Sequence, residues 1–155
     1  MSSRVAFLIL VSGAAVTPAR QGWWETEFSL RQWHFDQSDI DQALGLRELD
    51  DEFTRSGKGK DHFQAALERA KRTQWYQTAP VRPMPDAMRP FYRRIMDFDP
   101  IPIVGGLPIP SLWVFGARDE HVPVEKSVEI LGELKAKGRP ISFQVFEGVP
   151  TIVEG

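Results

Sequence analysis

Two runs of consecutive apolar residues have the length of β-strands. The first is Val5–Val11 within a predicted strand at residues 4–12, and the second begins after Ser111 in a predicted strand at residues 110–116. A third strand is predicted at residues 141–146. Strands of a parallel sheet are covered by helices on both faces, so their sequences are nearly continuous in hydrophobic residues. The pattern therefore predicts an α/β fold with a mainly parallel sheet.

A helix is predicted between the last two strands, from Pro123 to Lys137. Pro123 suits the first helical turn, and Gly138 is typical of the residue that follows a helix. Apolar residues recur between them at helical spacing, at Val124, Val128, Leu131 and Leu134. Strand, helix and strand in this order form a βαβ unit, whose crossover is expected to be right-handed.

Residues 21–96 have a different pattern, which is polar, aromatic and mostly helical. Ser38, with Asp41 at the third helical position, predicts the start of one helix. The glycine-containing segment 55–60 ends that helix, and a second is predicted over residues 61–77. Four prolines between residues 80 and 90 then predict a rigid, irregular connection.

Composition and charge exclude several classes of protein. The chain has 155 residues, enough for one domain with a hydrophobic core. Nineteen basic and 21 acidic side chains give a formal net charge of −2, which argues against nucleic-acid binding through a broad basic face. The chain has no cysteine, which excludes disulfides, thiolate nucleophiles and cysteine-ligated metals. The absence of cysteine fits a cytoplasmic protein, and the cytoplasm is the location we expect.

The apolar run near the amino terminus has two interpretations. At seven residues, Val5 to Val11 is far too short for a membrane-spanning helix, which needs roughly 20 residues. A secretory signal peptide has an apolar core of about 7–15 residues, and residues 12–15 loosely imitate its cleavage site. The crowding of Phe, Leu, Ile and Val favours a buried strand instead. We therefore expect no membrane association.

The segment from Phe115 to Pro123 carries the most chemical information. It places Asp119 in a short loop after a predicted strand and before a helix, the end of an α/β sheet where ligands and catalytic groups gather. A carboxylate there can orient a histidine and stabilise the imidazolium that forms in nucleophilic catalysis. An aspartate at such a place can equally cap the following helix.

Residues 109–131 resemble the carboxyl-terminal part of α/β-hydrolase-fold enzymes. The likeness is to the dienelactone-hydrolase-like and prolyl-oligopeptidase-type branches, in which a strand is followed by Gly-x-x-Asp-x-x-Val-Pro and a helix. Gly116 to Pro123 fits this motif, and the resemblance makes Asp119 the triad acid. It also implies that residues 1–20 and 97–155 form part of the hydrolase core, with residues 21–96 as a helical cap inserted between them.

The chain departs from the family at both other triad positions. No Gly-x-Ser-x-Gly nucleophile elbow is present, and Ser12 lacks the flanking glycines of that motif. In the family the elbow comes before the strand that Val5 to Val11 resembles. The turn that carries the family's histidine reads Gly148-Val-Pro-Thr151 here, and threonine cannot act as a general base at neutral pH.

Other candidate residues have competing interpretations. His121 is close enough in sequence to interact with Asp119 but is expected at the surface, and His34 and His62 lack metal-ligand spacing. The aromatic clusters at 23–24, 33–35 and 75–76 fit either a substrate pocket or helix packing. Asp97 and Asp99 fit either a pair of carboxylates or, more simply, a turn. Arg89, Arg93 and Arg94 are expected to form one solvated helical face.

Three functions follow as hypotheses. The first is the carboxyl-terminal part of a serine hydrolase of ester or peptide bonds, truncated and inactive alone because it lacks the elbow and the histidine. The second is a non-catalytic interaction protein derived from the hydrolase fold, and the third is an enzyme that uses His121 with Asp119. Triad hydrolysis needs no cofactor. An unpaired strand at residues 5–11 would also favour self-association through its edge.

Overall fold

The computed structural model describes residues 5–148, which fall into two compact units. Of the described residues, the first unit contains 5–17 and 99–148, and the second is Pro18–Phe98. The sequence had predicted boundaries near residues 20 and 97. In chain order the described elements are β1 (Leu8–Val11), α1 (Pro18–Gln32), α2 (Gln37–Ser56), α3 (Lys60–Ala70), α4 (Gln74–Thr78), α5 (Arg89–Ile95), α6 (Ile101–Gly106), β2 (Ser111–Gly116), α7 (Val124–Ala136) and β3 (Ile141–Phe146).

The first unit is built on a three-stranded parallel sheet in the order β1-β2-β3. In its register, Leu10 lies beside Trp113, and Trp113 lies beside Phe143. Trp113 and Phe115, alternate residues of β2, are buried against apolar residues of α6 and α7, among them Val104 and Leu131. The expected α/β class with parallel strands is confirmed in this coarse form.

Several apolar side chains on the opposite face of this sheet are exposed. Burial alternates along β1, and Phe7 and Ile9 are 61% and 57% exposed. Leu112 of β2 and Phe146 of β3 are exposed as well. The prediction that the first strand is buried on both faces is therefore wrong for the described part of the chain. The apolar composition that suggested it is real, but helices cover one face only.

The second unit is a set of helices around its own core. Helix α2 packs against α1, α3, α4 and α5, because its apolar residues recur at helical spacing on a broad face. The largest buried side chains here include Leu30, Ile40, Phe63 and Trp75. The start of α2 differs from the prediction. Asp36, whose side chain accepts from the Asp39 amide, caps α2 instead of Ser38.

The predicted helix over residues 61–77 is interrupted. Helix α3 ends at Ala70 and α4 starts at Gln74, because Thr73 adopts an extended conformation and its hydroxyl caps the new helix at the Tyr76 amide. Threonine is a favoured N-cap residue, so this interruption has a local cause. The predicted end of α2 is confirmed, since Gly57 has a φ of 73° and closes the helix in the left-handed conformation.

Helix α5 is held to α2 by a buried ion pair. Arg89 Nη2 lies 2.7 Å from Asp50 Oδ1, and Arg89 is 8% and Asp50 2% exposed. The guanidinium also donates to the Thr54 hydroxyl and lies 4.3 Å from the ring centroid of Phe53. The expectation that Arg89 belongs to a solvated face is therefore wrong, whereas Arg93 and Arg94 are exposed. An arginine is buried here because a carboxylate and an aromatic face compensate its lost hydration.

A second buried carboxylate, Asp51, joins α1 to α2. Trp23 Nε1 donates to its Oδ2 at 3.1 Å, and Arg47 Nε lies 3.7 Å from its Oδ1. Burial raises the pKa of the Asp51 carboxyl, against the opposing effect of Arg47. Gly22 makes room for this pair, because a Cβ there would stand 2.0 Å from Arg47 Nη2.

Removing the buried arginine should destabilise the second unit. Arg89→Met leaves Asp50 as a buried, unpaired charge, and we expect a loss of about 3–5 kcal/mol in the free energy of unfolding. The double variant Arg89→Met with Asp50→Leu should recover much of that loss, since neither charge is then buried. Urea denaturation measures both, with the exposed Arg94→Met as the matched control. Equal stability of the Arg89 and Arg94 variants would contradict the assignment.

Candidate functional site

The candidate site is the loop that joins β2 to α7. Strand β2 ends at Gly116 and α7 begins at Val124, so the loop leaves the carboxyl end of the central strand. The Ala117 amide donates to the Phe146 carbonyl at 2.9 Å and the Asp119 amide to the Gly116 carbonyl at 3.2 Å. These bonds turn the chain back so that Asp119 is 3% exposed.

One oxygen of Asp119 shapes the loop. Its Oδ1 accepts from the amides of His121 and Val122, at 2.9 and 3.0 Å. An aspartate that binds amides two and three residues ahead forms a local turn. Helix α7 itself has Pro123 at its N-cap position and no side-chain cap. The helix-capping interpretation of Asp119 is therefore replaced by a loop-closing one.

The other oxygen of Asp119 has no donor. Its Oδ2 is buried and receives no hydrogen bond from residues 5–148. A buried polar atom without a partner costs about 1–3 kcal/mol, and a charged group costs more. By contrast, the buried carboxylates Asp50 and Asp51 both have cationic or N–H side-chain partners. Asp119 thus has one carboxylate oxygen, Oδ2, that accepts no hydrogen bond from the described residues.

Ser12 is the residue that follows β1 at the same edge of the sheet. Its amide donates to the Val114 carbonyl at 2.9 Å, and its φ of 49° is unusual for a residue other than glycine. The hydroxyl is buried, and among the described residues it has no partner. The chain then continues without a helix to Pro18, whereas a nucleophile elbow passes directly into one. Sequence patterns gave no sign of this backbone conformation.

The three histidines occupy exposed positions. His121 contributes its backbone amide to the Asp119 turn, and His34 takes a φ of 58° at the turn between α1 and α2. His62 lies on α3. Within residues 5–148, no group of three or more His, Asp or Glu side chains is placed to hold a metal ion. Thr151, the residue at the family's histidine position, lies outside the described residues.

The aromatic clusters divide between core and surface. Trp75 is buried and meets Tyr76 edge-on at 5.6 Å, and Trp24 stacks on Phe28 at 4.7 Å. Trp33, in contrast, is 61% exposed. Packing therefore accounts in part for the clusters at 23–24 and 75–76.

Asp97 and Asp99 have separate partners rather than acting as a pair. Asp97 accepts two bonds from Arg55, at 2.7 and 2.8 Å, which lowers the pKa of its carboxyl. Asp99 Oδ1 accepts from the Ile101 amide at 2.9 Å, as in a turn. In the described part of the chain, no helix has the length and apolar character needed to cross a membrane.

Substitutions at position 119 should separate the roles of the two oxygens. Asp119→Ala removes both turn bonds, and we expect a loss of about 1–3 kcal/mol in the free energy of unfolding. Asp119→Asn keeps an Oδ1 acceptor for both amides and should cost clearly less. Urea denaturation compares the variants, with the exposed neighbour Glu120→Ala as the control. Equal losses for Ala and Asn would show that the charge, and not the turn, stabilises the loop.

Comparisons with known proteins give no family assignment. The chain matches no protein-family model, no curated protein and no solved structure.

Proposed function

We propose that this chain is the carboxyl-terminal part of an α/β-hydrolase-fold serine hydrolase that cleaves ester or peptide bonds. In this proposal Asp119 is the triad acid, the sheet unit is part of the hydrolase core, and the helical unit is the cap. The nucleophile and the histidine come from sequence that these residues do not contain. The chain alone is therefore inactive.

The observation that carries the proposal is the unused oxygen of Asp119. A triad acid needs one oxygen that is fixed in place and one that is free to accept an imidazole N–H. In Asp119, Oδ1 is fixed by two backbone amides and Oδ2 is buried without a donor from the described residues. Burial strengthens the interaction with an imidazolium, because the local dielectric constant is low.

The role of Asp119 follows from this geometry. The Asp119 turn sets the direction of Oδ2, so the carboxylate would hold the histidine in one tautomer and one orientation. When the histidine accepts the proton of the nucleophile, the carboxylate stabilises the resulting positive charge without becoming protonated. Asp119 does not react itself, and it binds neither a cofactor nor a metal in this scheme.

The uncovered sheet face supports the same proposal. Parallel sheets are normally covered on both faces, and in this unit β1 and β2 expose Ile9, Val11 and Leu112 to solvent. A hydrolase core would supply a further strand beside β1 and helices over this face. The open face is thus the surface that the proposed missing part would cover.

The decisive test extends the expressed chain into its upstream coding sequence. We expect the upstream sequence to encode a Gly-x-Ser-x-Gly elbow. We expect the triad histidine to be encoded elsewhere in the extended sequence or in a shifted reading frame downstream of this chain. The extended protein should react with a fluorophosphonate at the elbow serine and hydrolyse p-nitrophenyl esters. Asp119→Asn should lower its kcat on the order of 10⁴-fold, as loss of a triad acid does, while Glu120→Gln should leave it unchanged.

Two results would overturn this function. One is an upstream frame that encodes no nucleophile elbow. The other is p-nitrophenyl ester turnover by the 155-residue chain that disappears in Asp119→Asn, since the nucleophile would then lie within these residues.

A second function is favoured by the edge of β1, namely a non-catalytic protein that pairs with a second copy of itself. The Leu8 amide donates to the carbonyl of Pro110, just before β2, and the Ser12 amide donates to Val114 of β2. Backbone groups alternate in direction along a strand, so Ile9 and Val11 present their N–H and C=O groups at the free edge. Such an edge, flanked by exposed apolar side chains, is a template for strand pairing.

Proline substitution tests this pairing without breaking the existing sheet. Ile9→Pro removes an N–H that points away from β2, so it should abolish self-association while the sheet unit keeps its fold. Val145→Pro is the matched control, because the backbone N–H of Val145 points to the outer edge of β3, away from β2. Light scattering over a range of protein concentrations gives the oligomeric state. A monomeric parent chain, or a dimer that survives Ile9→Pro, would refute pairing through β1.

A further inference from the structure

The helical unit contains a cavity that neither Asp119 nor the buried ion pairs use. Its volume is about 340 Å³, and residues of α2 and α3 together with Trp75 of α4 line it. Small-molecule pockets commonly have volumes of about 300–1,000 Å³ with mainly apolar walls. The lining includes Gly45, Leu46, Leu49, Ala66, Arg69 and Trp75.

Gly45 lines this cavity and is itself exposed. It lies within α2, where glycine costs about 0.5–1 kcal/mol relative to alanine. A Cβ at this position would meet no atom within 4 Å, and Gly45 has no positive φ. Neither close packing nor backbone conformation therefore requires glycine here. Any larger side chain would occupy the space that the cavity provides.

Two polar groups in the lining lack partners. The Nε1–H of Trp75 is buried and has no acceptor among the described residues. The guanidinium of Arg69 is exposed and forms no ion pair or hydrogen bond with them. Among the described lining residues none is acidic, and Arg69 carries the positive charge. The cavity thus combines largely apolar walls with one cationic side chain and no carboxylate.

The geometry points to a binding site for a small amphipathic carboxylate. Its hydrocarbon body lies against Leu46, Leu49 and Ala66, and its carboxylate binds the Arg69 guanidinium in a charge-assisted hydrogen bond. This site belongs to the helical unit alone and does not depend on the proposed hydrolase activity.

Octanoate is the probe for this site, and n-octanol is its uncharged counterpart. In two-dimensional ¹H–¹⁵N NMR spectra of the full chain, octanoate should shift the Trp75 indole N–H resonance, which Trp75→Phe identifies. Calorimetry should show that Arg69→Gln raises the Kd for octanoate about tenfold or more. Arg72→Gln, an exposed arginine outside the lining, should leave the Kd unchanged.

A second pair of variants separates blockage of the cavity from loss of the fold. Gly45→Leu should abolish octanoate binding while raising the Tm, because leucine has a higher helix propensity than glycine. Gly132→Leu in α7 is the matched control, since a Cβ there also meets no atom within 4 Å, and it should retain binding. Binding that Gly45→Leu leaves intact, or no binding of octanoate at all, would overturn the site. Octanol that binds as tightly as octanoate would overturn recognition of the carboxylate.

Discussion

The parallel pairing of β2 with both its neighbours is the constraint on which the sheet unit depends. Because the strands run in one direction, the residues that follow β1 and β2 emerge at the same edge. Ser12 and the Asp119 loop are therefore neighbours in topology although more than a hundred residues separate them. The same pairing makes a helical crossover necessary between β2 and β3, and α7 supplies it while covering one face.

Buried carboxylates in the helical unit follow one rule, and Asp119 in the sheet unit departs from it. In the helical unit, Asp50 has Arg89, and Asp51 has Trp23 and Arg47 as partners. In the sheet unit, Asp119 is as deeply buried, but among residues 5–148 it is held by backbone amides through one oxygen only. A carboxylate that is ordered and dehydrated, yet incompletely bound, has free energy to gain from a cationic partner. This contrast, more than the motif around it, makes position 119 a candidate for chemistry.

Sequence reasoning was accurate where a single local signal decides the structure. The strand at 141–146 and the helix after Pro123 were predicted to within a residue, because apolar periodicity and the flanking proline and glycine agree there. The Asp119 loop was also located, since it lies between two such elements. The interruption at Thr73 was missed because a capping hydroxyl competed with a continuous apolar stripe.

Other features depend on contacts between residues that are distant in the sequence. The burial of Arg89 depends on Asp50, 39 residues earlier, and the exposed Arg93 and Arg94 belong to the same short helix. Whether helices cover one face of the sheet or both likewise depends on the packing of distant elements. An apolar strand has the same composition in either case. The unused oxygen of Asp119 and the backbone of Ser12 are visible only in three dimensions.

One oxygen of Asp119 closes the loop and the other has a proposed role in catalysis, and this difference bears on mutational drift at position 119. The fold draws on the acceptor that asparagine also possesses, whereas triad chemistry draws on the negative charge that asparagine lacks. Aspartate and asparagine codons differ by one nucleotide, so the exchange is among the most accessible at this position. Selection for folding alone would leave these two residues nearly interchangeable here, and only selection for a charged partner to histidine would distinguish them.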